Sequence, residues 1–83
     1  MDEMMVPLNP NNELIMLGDV LYCFARESDE IDESGEPITE LVYDLMKKPN
    51  QRMAGFSLED KKPYSGGTIK ITNHLPIQRI VVD

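Results

Sequence analysis

An α+β fold, a small antiparallel sheet packed by one amphipathic helix, is what this chain predicts, and three segments carry the prediction. Residues 37–48 place Ile38, Leu41, Val42, Leu45 and Met46 at i, i+3, i+4, i+7 and i+8, one stripe of a helix. Residues 68–72, Thr-Ile-Lys-Ile-Thr, alternate strictly between polar and apolar, the period of a half-buried strand. Ile80, Val81 and Val82 are β-branched throughout, as strands prefer. A small all-β barrel is the alternative, because Ile38, Glu40, Val42 and Asp44 also alternate.

Taken in order, residues 1–12 with Pro7 and Pro10 read as an irregular lead-in. Residues 13–27 are ambiguous. Leu14, Leu17, Leu21 and Phe24 have helix spacing behind a possible Asn12 cap, but Gly18 inside a helix costs about 1 kcal/mol relative to alanine. Gly18 and Asp19 between two apolar runs also signal a hairpin, which is the reading adopted. Residues 27–36 read as an acidic loop, with Pro37 opening the helix, Glu36 and Glu40 near its positive end, Lys47 and Lys48 near its negative end and Pro49 stopping it. Leu41 and Leu45 then face the core while Glu40, Tyr43 and Asp44 face outward. Residues 54–58 suit a short strand, and residues 61–67, with Pro63, Gly66 and Gly67, a loop. Asn73, His74 and Leu75 would connect a final hairpin, with Pro76 opening the returning strand.

The length, 83 residues, predicts a single domain over residues 1–83 whose small core buries only about 60 to 65% of the unfolded chain's surface. Self-association would stabilise such a core, so a homodimer is expected. The single Cys23 offers no intramolecular disulfide, and Met1 is followed by Asp2 and Glu3 rather than by a basic, then apolar, export signal. Both features predict a cytoplasmic setting. The apolar runs at 14–17 and 20–25 are split by Gly18 and Asp19 and fall short of a membrane span.

Charge is the most directive feature. Residues 27–44 carry Glu27, Asp29, Glu30, Asp32, Glu33, Glu36, Glu40 and Asp44 and no lysine or arginine. Residues 1–44 sum to −11 and residues 45–82 to +5, which with Asp83 gives the net −7. Such a field governs which partners are attracted and repelled rather than the fold. It disfavours direct binding to nucleic acid and to anionic lipid.

Catalytic and metal chemistry find little support. Glu30, Asp32, Ser34, Gly35 and Glu36 match positions 1, 3, 5, 6 and 7 of a helix-loop-helix calcium loop, but position 12 is Leu41 where a bidentate glutamate is needed. A solvated run of carboxylates lacks the contrast of environments that splits acid from base. His74 and Cys23 have no partner at ligand or nucleophile spacing, and Gly66 and Gly67 lack the setting of a phosphate loop. No cofactor, metal or enzymatic activity is expected. Of the six methionines, Met46 and Met16 suit a core and Met1, Met4 and Met5 an adaptable surface; Tyr22, Tyr43 and Tyr64 suit a core edge.

These observations predict a non-enzymatic binding protein whose eight carboxylates engage a basic, nucleic-acid-binding protein, a DNA mimic acting as an inhibitor in the manner of small phage-encoded regulators and antitoxins. The comparison is one of class and size. The alternative is a self-assembling structural subunit whose acidic run only keeps it soluble.

Overall fold

The computed structural model describes residues 3–49 and 51–73. Among these residues five strands form one sheet: β1 (Glu3–Pro7), β2 (Val20–Ile31), β3 (Pro37–Asp44), β4 (Met53–Ser57) and β5 (Thr68–Thr72). Their order across the sheet is β1-β5-β4-β2-β3, with every neighbouring pair antiparallel. No helix occurs among the described residues. The expected α+β class is therefore corrected to all-β. The barrel alternative is also incomplete. Leu8 forms a lone parallel bridge to Tyr43, and the Asn9 N–H donates to Tyr43 O at 2.9 Å, which draws the two outer strands together at one point without closing the sheet.

The segment expected to be a helix is β3. Two periods coexist in it, and the strand period wins because the register with β2 is fixed on both sides. Residues 32–36 make a tight turn, and Tyr22 through Glu27 pair in step with Asp44 through Thr39. Ile38, Thr39, Val42 and Tyr43 add β-branched and aromatic side chains, and Pro37 takes the first strand position, where a missing donor is tolerated. The helical stripe is split accordingly: Val42 is buried, but Leu41 is 61% exposed and Ile38 and Met46 are exposed as well. Asp44, expected to face water, is 0% exposed.

The other boundaries shift too. The irregular lead-in contains β1, whose Val6 enters the core. Gly18, at φ 92°, forms a turn in which the Asp19 N–H donates to Met16 O at 2.9 Å, but the chain before it does not fold back on β2 as a hairpin. Ile15 instead exchanges backbone bonds with Lys61 at 2.9 and 2.8 Å. Asn12, considered as a helix cap, is a buried crosslink: Oδ1 accepts from Ser65 N at 2.9 Å and Gly66 N at 3.0 Å, while Nδ2 donates to Lys62 O at 2.9 Å and Glu13 O at 2.7 Å. Such a group is stable in the interior because its polar atoms are satisfied there. Strand expectations at 54–58 and 68–72 correspond to β4 and β5. The hairpin through Asn73 to Pro76 and the strand at Ile80 to Val82 lie outside the described residues, apart from Asn73 itself.

Val6, Leu8, Ile15, Leu21, Ile69 and Ile71 form the core, with Tyr43 and Leu45 packed against it. They come from β1, β2, β5 and the connection between β1 and β2, and β4 crosses at Gly55. A side chain at Gly55 would put its Cβ 2.7 Å from the backbone oxygen of Thr72, so glycine is what allows β4 and β5 to approach there.

Candidate functional site

β4 pairs with β2 only at Val20, Leu21 and Tyr22. Beyond Tyr22, residues 23–31 of β2 pair only with β3 among the described residues, so the β2–β3 hairpin leaves the body as a two-stranded ribbon. At its base the Cys23 and Tyr43 side chains lie opposite each other, and burial first, then the neighbouring thiol, pushes the Tyr43 phenol above its ordinary range. Farther out, Ala25 faces Leu41 and Arg26 faces Glu40, whose side chains form an ion pair. From Glu27 outward the ladder is irregular. Glu27 pairs with Thr39 and Ile31 with Pro37, so Ser28, Asp29 and Glu30 bulge opposite Ile38. Apart from partly covered Ser28, residues 27–39 are all exposed.

The ribbon's tip is specified locally. The Gly35 N–H donates to Asp32 O at 3.0 Å, Gly35 has φ 85°, and the Asp32 N–H donates to Glu36 O at 2.8 Å. This is a type I turn followed by a left-handed glycine, a standard way to join antiparallel strands. The Asp32 side chain locks it: Oδ1 accepts from Ser34 N at 2.9 Å, Ser34 Oγ at 2.6 Å and Glu36 N at 3.0 Å. The positions that imitate a calcium loop thus build a hairpin turn. The acidic loop expected over 27–36 is corrected in the same way, since residues 27–31 belong to β2 and only 32–36 turn.

The Ser34 hydroxyl, followed by the Glu36 backbone N–H, holds the Asp32 carboxyl below the ordinary carboxylate value of 3.8. A depressed folded-state value means that the ionised group supports the turn above about pH 4 and that this support is lost as pH falls through the lower, folded value. The Ser34 and Glu36 amide resonances should therefore titrate together in an NMR pH series, with a midpoint below 3.8. A midpoint at or above that value would contradict the hydrogen-bonded turn.

Seven of the eight candidate carboxylates sit on this ribbon. Residues 25–41 contain Glu27, Asp29, Glu30, Asp32, Glu33, Glu36 and Glu40 against Arg26, a net −6; the remaining residues of the −7 chain therefore carry only −1. The two-pole charge of the linear sequence does not survive folding. Lys47 meets Glu13 at 2.7 Å and Asp44 at 3.4 Å, Lys61 meets Glu59 at 3.7 Å and Lys70 meets Glu3 at 3.9 Å. Those pairs draw three of the body's cations onto its own acids. Hydrogen bonding to Glu13, the largest cause, raises the Lys47 ammonium above its ordinary value and keeps it charged. Among the described residues, Glu27, Asp29, Glu30, Glu33 and Glu36 meet no cationic side chain.

The eighth carboxylate, Asp44, is separate. Its Oδ2 accepts from Asn9 Nδ2 at 2.9 Å, and its Oδ1 accepts from Leu45 N at 2.7 Å and Glu13 N at 3.5 Å. It ties the end of β3 to the 9–13 segment and presents no charge to a partner. The signal was present in the sequence, where Asp44 follows Val42 by one strand period. Also missed were the exposed apolar ribbon residues Leu41, Ile38 and Ile31, the last 64% exposed.

No family model matches the chain, and searches of curated proteins and of solved structures return no match either. Among the described residues no helix is long and apolar enough to cross a membrane.

Proposed function

We propose that this protein is an acidic binding module that uses its β2–β3 ribbon to occupy the nucleic-acid site of a basic protein and so inhibit it. The observation that carries the reading is the concentration of charge: −6 on the ribbon against −1 on everything else. Strands rise about 3.3 Å per residue, so the ribbon extends roughly 20 Å from the Arg26–Glu40 pair to its turn. Seven carboxylates over that length amount to one per roughly 3 Å, close to the spacing of about 3.4 Å per phosphate along one strand of DNA. A body near neutrality leaves the ribbon as the feature that steers a cationic partner.

The test uses Glu27→Gln, Asp29→Asn, Glu30→Gln and Glu33→Gln together, leaving Asp32 because it builds the turn. Exposed charge pairs contribute about 0.2 to 1 kcal/mol each, so four lost carboxylates should weaken binding to a basic DNA-binding protein by about 30-fold at low salt, at a melting temperature close to that of the parent. Double-stranded DNA should compete with the parent protein for the same partner. Capture that is unchanged in the variant, or indifferent to salt and DNA, would remove the mimic reading.

A second reading is favoured by β1, an outer strand with Met4 at 52% and Met5 at 54% exposed. Two copies joined along β1 would cover an edge that monomers leave open. Sedimentation should then show a dimer that Met5→Lys dissociates while the ribbon variant does not.

A further inference from the structure

We infer that the edge of β2 at residues 23–31, which pairs with no strand but β3 among the described residues, is a strand-addition site for an extended basic segment of a partner protein. The inference rests on the ribbon reading above and makes its partner specific: a basic arm, rather than only a preformed basic groove. Four observations carry it.

Among the described residues the edge itself is unpaired. β4 stops at the Tyr22–Met53 pair, so past that point the backbone of β2 has a ladder on the β3 side alone among the described residues. On the opposite margin of the hairpin, Leu8 and Asn9 already engage Tyr43 at the base of β3. The ribbon is also short of support, because a lone two-stranded hairpin is at best marginally stable in water and a third strand is the usual remedy.

The exposed face beside that edge is partly apolar. By strand alternation Ala25 shares the face of Leu21, which lies in the core, and its cross-strand neighbour Leu41 shares the face of Tyr43, which packs on the core. The core face thus continues outward past the body that should cover it, leaving Leu41 61% exposed.

Charge selects the occupant. Open edges invite pairing with another copy, but two ribbons would bring −6 against −6 and the body offers no compensating positive field at −1. The carboxylates therefore discriminate against self-pairing while attracting lysine and arginine, attraction and rejection arising from one set of residues. In strand addition the backbone supplies affinity and alternate side chains supply specificity. By the same alternation Glu27 shares the face of Ala25 and Leu41, so an extended segment would lay apolar side chains against Ala25 and Leu41 and its cations farther out along the edge, against Glu27 and the bulged Asp29 and Glu30.

The test uses the full chain and a labelled nine-residue peptide with valines toward one end and lysines toward the other, beside the same peptide with every backbone amide methylated. Both have the same charge and side chains, but the second cannot donate backbone hydrogen bonds. Fluorescence anisotropy at low salt should show the methylated peptide binding at least about tenfold more weakly, the equivalent of one or two backbone hydrogen bonds. Hydrogen exchange should show protection gained at residues 23–31 with the unmethylated peptide. Equal affinity for the two peptides, or no new protection in β2, overturns strand addition while leaving the charge reading in place. If neither peptide binds but a folded basic protein is still captured through the ribbon carboxylates, strand addition alone fails. If no basic probe binds, both fail.

Discussion

Asp44→Ala should be the most damaging change at any acidic position of this protein. The carboxylate is 0% exposed and receives Asn9 Nδ2, Leu45 N and Glu13 N, with Lys47 Nζ at 3.4 Å. Removing it orphans the buried Asn9 amide and two backbone donors. Lys47 is 29% exposed and keeps Glu13, so its charge can turn to water and the full penalty of a stranded buried ion does not apply. Unsatisfied buried donors cost about 1 to 3 kcal/mol each, and a loss of roughly 2 to 4 kcal/mol is expected in denaturant titration. In a domain of this size that lowers the melting temperature by about 10 to 25 °C. Leu41→Ala is the matched control, since a side chain exposed on the ribbon should change stability by no more than about 0.5 kcal/mol. If Leu41→Ala unfolds the protein and Asp44→Ala melts like the parent, the burial of Asp44 and the exposure of Leu41 are assigned the wrong way round.

Leu21→Ala should cost about as much or more, for a different reason. Leu21 is 0% exposed and lies where β2 crosses Gly55 of β4, surrounded by the core side chains from β1 and β5. Truncating a buried leucine costs about 2 to 5 kcal/mol, the spread reflecting how far the site collapses. A domain of this length holds only roughly 4 to 12 kcal/mol in total. Calorimetry should therefore find the variant substantially unfolded at 37 °C or melting well below the parent. A shift of only a degree or two would mean that the core is centred elsewhere.

The two cases divide what could be read in the chain from what could not. Local chemistry was legible where a short stretch is self-sufficient. Thr68–Thr72 alternates as a strand must and is one. The glycines of the 61–67 loop mark a real turn region, with Gly66 and Gly67 both at positive φ. The acidic run was correctly located in sequence, because a set of like charges is a compositional fact that needs no fold.

The helix over 37–48 failed because hydrophobic spacing alone cannot separate two periods that fit the same residues. Ile38, Leu41, Val42, Leu45 and Met46 satisfy the helical period, and Val42 with Asp44 the strand period. The choice belongs to residues outside the segment: the Asp32–Gly35 turn and the long pairing with β2. Burial of Asp44 was hidden for the same reason, since Asn9 lies 35 positions away.

By itself, then, the sequence determined the amount and location of charge, the strand at 68–72 and the turn chemistry, all properties of neighbouring residues. Only the tertiary structure decided which charges remain free. Folding brings Lys47 to Glu13 and Asp44, and Lys70 to Glu3, pairing part of the positive half with distant acids, while five of the seven carboxylates of the β2–β3 ribbon meet no cationic side chain among the described residues. Coulomb interactions depend on distance in space and weaken beyond about 8 Å at physiological salt, so a partition that looks bipolar along the chain becomes a neutral body with one acidic arm.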